Sequence, residues 1–308
     1  MNKKLALYSL IGLLAAGGTI AFSFARNPQD ISTMQPAIAD IGSHSGHSTD
    51  GMPEMSHSNK KGDHQGHSMD KNESHQDETT QAKLTLASTP SLNTPVTFVI
   101  DVQDSKGKAI AQFDTFQEKL MHLIVVSDDL QVFQHLHPTH KGNGRFEVKT
   151  ALPQTGGYTL VSDYKPVGQK EAVSVLQVRV PGTPASAPTV DLKREKSVET
   201  TNFVLSLSEP AVKVGQEVML TFDLKDAATN QAISDLKPYL GEEGHLVILK
   251  QSTPLTRADY IHAHAMKGAP DGKVEFMTTF PKPGKYKLWG QFNRNGKIVV
   301  ADFWVDVL

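Results

Sequence analysis

From about Ala82 onward, apolar and polar positions alternate in short runs separated by turn residues, with little of the 3.6-residue period of a helix. Thr97-Phe98-Val99-Ile100-Asp101-Val102 reads as a strand and runs into the turn Asp104-Ser105-Lys106-Gly107. Arg145-Phe146-Glu147-Val148, Tyr158-Thr159-Leu160-Val161 and the run from Val173 to Val180 continue the series. About seven such strands with regular turns predict an antiparallel β-sandwich. The pattern then repeats. Val218-Met219-Leu220-Thr221-Phe222-Asp223-Leu224 matches the opening strand, Ala232-Ile233 matches Ala109-Ile110, and the stretch Phe280 to Tyr286 matches Leu152 to Tyr158. The shared Pro-x-x-Gly-x-Tyr element resembles the tyrosine corner of immunoglobulin-like sandwiches, which assigns Tyr158 and Tyr286 structural roles.

The most informative stretch is Met121 to His140. An apolar run, Leu123-Ile124-Val125-Val126, meets a polar turn at Ser127-Asp128-Asp129 and then a second apolar run, which predicts a hairpin. A two-residue loop at Asp128-Asp129 sets His122 opposite His135. Side chains alternate along a strand, so His137 shares the face of His135, and three imidazoles come within reach of one ion. Gly244 to Met266 repeats the device, with His245 opening one strand and His262-Ala263-His264 closing the next. His122 and His135 are thirteen positions apart and His245 and His262 seventeen, an even difference that keeps the histidines on one face. Continued strand geometry adds the thioether of Met266 to that face. The predicted metal ligands are therefore His122, His135 and His137 in one sandwich, and His245, His262, His264 and Met266 in the other. His140 could swing in from the loop after Pro138.

Before the sandwiches, Lys3 and Lys4 precede an uncharged apolar stretch from Leu5 to Ala25, the pattern of an export signal. Cleavage after small residues and retention as a membrane anchor are both open, because the stretch is long enough to span a bilayer. Residues 27–82 are poor in bulky apolar side chains and hold six of the 13 histidines, His44, His47, His57, His64, His67 and His75, with Met52, Met55 and Met69 among them. Such a tract is expected to be disordered and to bind metal through many weak sites, and its thioethers favour copper. The expected organisation is a signal peptide or anchor (1–26), a His/Met-rich leader (27–82), a first sandwich (83–182), a linker (183–199) and a second sandwich (200–308).

Composition narrows the function further. With no cysteine, disulfides, thiolate metal sites and a cysteine nucleophile are excluded. A formal net charge of −2, with lysines and glutamates interleaved, gives no footprint for nucleic acid. His135-Leu136-His137-Pro138-Thr139-His140 lacks the aspartate of the metallo-hydrolase signature, and no nucleophile elbow, phosphate loop or dinucleotide fingerprint occurs, so an enzyme is not expected.

Glu118 to Ser127 and Phe133-Gln134-His135-Leu136-His137-Pro138 resemble bacterial secreted or membrane-anchored proteins with YtkA-like, immunoglobulin-type β-sandwich domains. The resemblance is weaker over the second repeat, where Gly244-His245-Leu246-Val247 and His262-Ala263-His264 carry it. It implies an extracytoplasmic sandwich and a link to heavy metals or copper. The sequence thus predicts an all-β chain of two tandem immunoglobulin-like or cupredoxin-like sandwiches from an internal duplication. It is expected to bind copper, with zinc as the second choice, in the periplasm or outside the cell, and to serve a copper export or envelope assembly partner. The membrane is expected to be touched only through the N-terminal segment, if that segment is left uncleaved. The competing expectation is an interaction module of the envelope whose histidines are structural.

Overall fold

The computed structural model describes residues 79–308, and the expected export segment and most of the His/Met-rich leader lie outside the described residues. The first repeat contains β1 (Thr80–Thr85), β2 (Pro95–Asp104), β3 (Met121–Ser127), β4 (Phe133–Leu136), β5 (Thr139–Gly142), β6 (Arg145–Ala151), β7 (Gly156–Tyr164) and β8 (Ala172–Val180). The second contains β9 (Glu195–Val198), β10 (Thr201–Leu207), β11 (Glu217–Asp226), β12 (Leu236–Lys237), β13 (His245–Lys250), β14 (Tyr260–His264), β15 (Lys273–Thr279), β16 (Gly284–Arg294) and β17 (Lys297–Val307). The 3-10 turn Arg257–Asp259 leads into β14. The expected leader boundary at residue 82 falls inside β1, and β9 lies in the expected linker, where it pairs with β10. Among the described residues no helix is long and apolar enough to cross a membrane.

Each repeat is an antiparallel β-sandwich of immunoglobulin-like type. In the first, a sheet ordered β1-β2-β6-β5 faces one ordered β4-β3-β7-β8; in the second, β15-β11-β10-β9 faces a sheet in which β16 lies between β13 and β17. The duplication extends to single hydrogen bonds. Ile110 N–H donates to the Val102 carbonyl and Ile233 N–H to the Leu224 carbonyl, both at 3.0 Å. Tyr158 and Tyr286 each donate to the carbonyl four residues back, Gln154 and Lys282, both at 2.9 Å. These are the corner bonds that the Pro-x-x-Gly-x-Tyr element predicts.

The sheets around β3 and β13 are buried on both faces, which is why these strands carry continuous apolar runs instead of alternation. Met121, Leu123 and Val125 enter the core of the first sandwich, and Leu246 and Ile248 that of the second. The opposite faces meet each other. Ile124, Val126, Leu130 and Val161 from the first sandwich pack with Val247, Leu249, Leu255, Trp289 and Trp304 from the second in a third apolar cluster. Phe133 stacks on Trp289 with centroids 4.8 Å apart. Lys287, which is buried, donates from Nζ to the Leu130 carbonyl at 2.8 Å and pairs with Asp302 at 3.1 Å.

The first hairpin differs from the expected two-residue turn. Residues 128–131 form the loop, closed by Ser127 N–H donating to the Val132 carbonyl at 3.2 Å. Two forces widen it. The Asp129 carboxylate accepts from Ser127 Oγ at 2.5 Å and from Gln131 N–H at 3.1 Å, a local turn that competes with tight closure. Leu130, held at φ 57°, turns its side chain into the apolar cluster between the sandwiches. Pairing therefore shifts by two, so that His135 lies opposite Ile124 instead of His122. A shift of two preserves the face, so the parity argument survives the error in register.

A histidine cluster between the two sandwiches

His122 belongs to the outer face of β3, with Ile124 and Val126, and is fully buried. His135 sits on β4, and His137 follows it by two residues. Their ring centroids are 5.2 Å (His122 to His135), 5.2 Å (His122 to His137) and 4.8 Å (His135 to His137) apart. One nitrogen from each ring lies within 4.8 Å of the other two, close enough for one ion after small side-chain rotations. His137 Nε2 is buried and has no hydrogen-bond partner among the described residues. An orphaned buried imidazole nitrogen is costly unless something binds it.

The second sandwich does not hold a separate, distant set. Its histidines lie on the outer face of β13 and β14 and meet those of the first. His245, 3% exposed, has its ring centroid 4.7 Å from His135 and 6.0 Å from His122. His262 Nε2 is 2.7 Å from His245 Nε2. Among the described side chains five histidines therefore form one cluster across the interface, where two separate clusters were expected.

Met266 and His140 lie away from the cluster, and His264 is described by its backbone alone. The backbone of His264 lies opposite His245, while His262 is opposite Val247; the side chain of His264 is outside the described residues. Met266 is not brought to the cluster. After His264 the chain leaves its sheet, Ala265 bridges to Phe276 in the other sheet, Met266 N–H donates to the Glu275 carbonyl at 2.7 Å, and its side chain is 40% exposed. Strand alternation ends before Met266, so counting by twos from His262 overshoots. His140 lies on β5 in the opposite sheet and packs between Phe113 and Phe146.

Two residues that the histidine pattern did not reveal complete the site. Asp163 on β7 lies opposite His122, and Gln291 on β16 lies opposite His245. The duplication contains their signal, since each is a buried polar residue five positions after the corner tyrosine, Tyr158 or Tyr286. Gln291 spans the sandwiches, with Oε1 3.0 Å from His135 Nδ1 and Nε2 3.0 Å from His245 Nδ1. Asp163 Oδ2 is 3.2 Å from His262 Nδ1 and accepts from the Tyr260 hydroxyl at 3.2 Å. On the other side His122 Nδ1 is 3.0 Å from His135 Nε2, and His122 Nε2 is 3.3 Å from the Phe116 carbonyl. Carbonyl and amide partners of this kind orient imidazoles that hold metals.

The triad of the first sandwich favours neutral rings. Burial pushes His122 down to about 4, with His262 and His137 adding to the effect against the Phe116 carbonyl. Burial likewise takes His137 to about 4, helped by Lys119, and His135 well below the ordinary range, helped by His137 and His122. A metal requires unprotonated imidazole, so these rings stay ligand-competent well below the pH of about 6 at which free imidazole begins to fail. The same shifts fix an acid sensitivity. The unfolded chain takes up protons near pH 6.5 and the folded chain only near 4, so stability present above 6.5 is lost as pH falls between these values. For His122 alone the loss is roughly 3 kcal/mol. Urea midpoints of the metal-free chain are expected to fall from pH 7 to 5.5 to 4, and a flat profile would show that the rings are not held neutral.

No curated protein matches the chain. Among solved structures it is similar to a Salmonella alpha-2-macroglobulin mutant (14% identity, TM-score 0.25, covering 74% of this chain and 15% of that one). Trypsin-activated alpha-2-macroglobulin from Escherichia coli matches at 13% identity and TM-score 0.25, over 74% of this chain and 16% of that one. A titin fragment matches at 12% identity and TM-score 0.19, over 74% and 98%. This chain spans about 15% of the length of the first of these proteins. The profile described as Domain of unknown function (DUF8832) matches twice, over residues 75–182 and 196–308, one match for each sandwich, and the chain belongs to that family.

Proposed function

We propose that this is an extracytoplasmic metal-binding protein that holds a copper ion, with zinc as the second choice, at His122, His135 and His137, and that it buffers or carries the metal without catalysis. The observation that carries this reading is the convergence of three imidazole nitrogens within 4.8 Å, one of them the buried and unpartnered Nε2 of His137. An all-imidazole set suits copper, zinc and nickel alike. The preference for copper comes from the histidines and methionines of the leader, which would collect ions and raise their concentration near the sandwiches. The matching family is one of unknown function, so the link to metals rests on this geometry and on the residue-level resemblance to YtkA-like proteins. The apolar N-terminal segment supports an extracytoplasmic location, where a copper export or envelope assembly protein would receive the ion.

A second reading is favoured by the short ring-to-ring contacts, which suit a hydrogen-bonded layer that only holds the sandwiches together, as in an envelope interaction module. Equilibrium dialysis with elemental analysis separates the two. The full chain with its six leader histidines changed to serine is expected to retain stoichiometric copper. Retention no greater than that of the dialysis buffer would leave the histidines a structural layer.

A further inference from the structure

We propose a second metal site, apart from the histidines: Met219 and Met277, paired across two strands on the outer face of the second sandwich, hold a cuprous ion between their thioether sulfurs. The site is independent of the histidine cluster, which borders the other sheet of that sandwich.

Methionine is scarce among the described residues, and its placement is uneven. Four occur, Met121, Met219, Met266 and Met277, and Met121 is fully buried in the core of the first sandwich. The other three lie on one surface. Buried and outward side chains alternate along β11 and β15. Met219 points outward between the buried Val218 and Leu220, and Met277 between the buried Phe276 and Thr278. In the register of these strands Met219 and Met277 are directly opposite one another. Met266 follows Ala265, which is buried and bridges to Phe276, so alternation brings the Met266 side chain out on the same face. Its N–H bond to the Glu275 carbonyl sets it one diagonal step from Met277.

Directly opposed residues bring their Cβ atoms to about 5 Å, and a methionine side chain turns about three bonds, so both sulfurs reach one ion without movement of the backbone. A thioether is a soft, neutral donor that selects Cu(I) and does little for zinc. Met277 is 37% exposed and Met266 40%, which leaves this thioether surface open to an ion arriving from solvent. The first sandwich shows that the fold does not require methionine here. Val102 and Leu224 accept the matching bonds of the two repeats, which aligns Thr97 with Met219, and the residue opposite Thr97 is Lys149, whose ammonium would repel a cation. In the second sandwich that ammonium is gone, and the outward neighbour along β15 is Glu275, whose Oε1 accepts from Thr221 Oγ1 at 3.5 Å. Two partly exposed thioethers hold an ion more weakly than three buried imidazoles. A chain carrying one copper ion therefore carries it at the histidines, and the thioether pair fills next. An open pair of this kind takes up and releases its ion readily.

The test follows methionine methyl groups by NMR in the full chain with methyl-labelled methionine, titrated with silver(I), a soft monovalent ion that stands in for Cu(I) without its redox chemistry. Met219→Leu and Met277→Leu assign the two signals while keeping volume and apolar character. Should either fail to fold, Met219→Thr and Met277→Lys, the residues of the first sandwich at these places, replace them. The signals of Met219 and Met277 are expected to move together on one binding curve, with Met121 unmoved, and zinc at the same concentration is expected to move none of them. Removing either methionine should weaken the response of the other at least about tenfold, since losing a ligand costs no less than losing a ligand's outer hydrogen-bond partner. Met52, Met55 and Met69 of the leader report that silver has reached the chain. Stationary signals at Met219 and Met277 while those of the leader move would overturn the site. So would separate curves for the two residues, a Met219 response unchanged by the loss of Met277, or an equal response to zinc. Each of these results leaves the histidine cluster to its own test by dialysis.

Discussion

Trp289→Ala is expected to destabilise the sandwich pair by about 3–5 kcal/mol, the range for removing a large buried aromatic side chain. For a body of this size that corresponds to a fall in Tm of about 10 °C. Trp289 is 2% exposed, stacks on Phe133 of the first sandwich, and shares its apolar cluster with Ile124, Val126 and Trp304. Lys287 Nζ lies 5.5 Å from the centroids of both tryptophan rings, so the substitution also removes part of the surroundings of a buried ammonium. The effect should reach the metal site, because Gln291 lies two residues further along the same face of β16. Thermal unfolding of the variant provides the measurement. A loss below about 1 kcal/mol would mean that the contact between the sandwiches contributes little to stability, against the ranges for buried aromatics.

His135→Ala is expected to have the largest effect on metal binding. His135 is the one ring of the triad that touches both His122 and Gln291, so its removal takes away a ligand and leaves the bridging amide without its partner in the first sandwich. Losing an outer hydrogen-bond partner of a metal ligand weakens affinity by about 10–100-fold, and losing the ligand itself should cost more than about 100-fold. The metal-free protein should also lose about 1–3 kcal/mol from the unsatisfied amide. Competitive titration with a copper chelator reads the first effect and urea denaturation the second. Copper affinity within about tenfold of the parent would move the site away from His135.

Much of this could be read from the sequence because strand periodicity is insensitive to errors of two residues. The expected pairing of His122 with His135 was wrong in register, yet both rings share a face, since the longer loop at 128–131 added an even number of positions. The repeat was legible from the corner tyrosines and from the Ala-Ile pairs, which make the same hydrogen bonds in both sandwiches. What the sequence did not reveal was that the two histidine faces are one surface. Alternation tells which residues share a face and is silent on what covers it. The clue was the unbroken run Leu123-Ile124-Val125-Val126, repeated as Leu246-Val247-Ile248-Leu249, which shows that both faces of each strand are buried. Gln291 and Asp163 belong to no histidine motif, and only the alignment of the two repeats sets them side by side. Counting by twos misplaces Met266, because nothing local announces that the chain changes sheets after His264.

X-ray absorption at the copper edge, on the copper-loaded full chain with its leader histidines changed to serine, tests the central claim most directly. The expected spectrum shows imidazole nitrogens at about 2.0 Å as the protein ligands, with the outer-ring scattering of histidine and no sulfur. A sulfur at about 2.3 Å, or a shell of oxygens without imidazole scattering, would contradict a copper site built from the histidines between the two sandwiches.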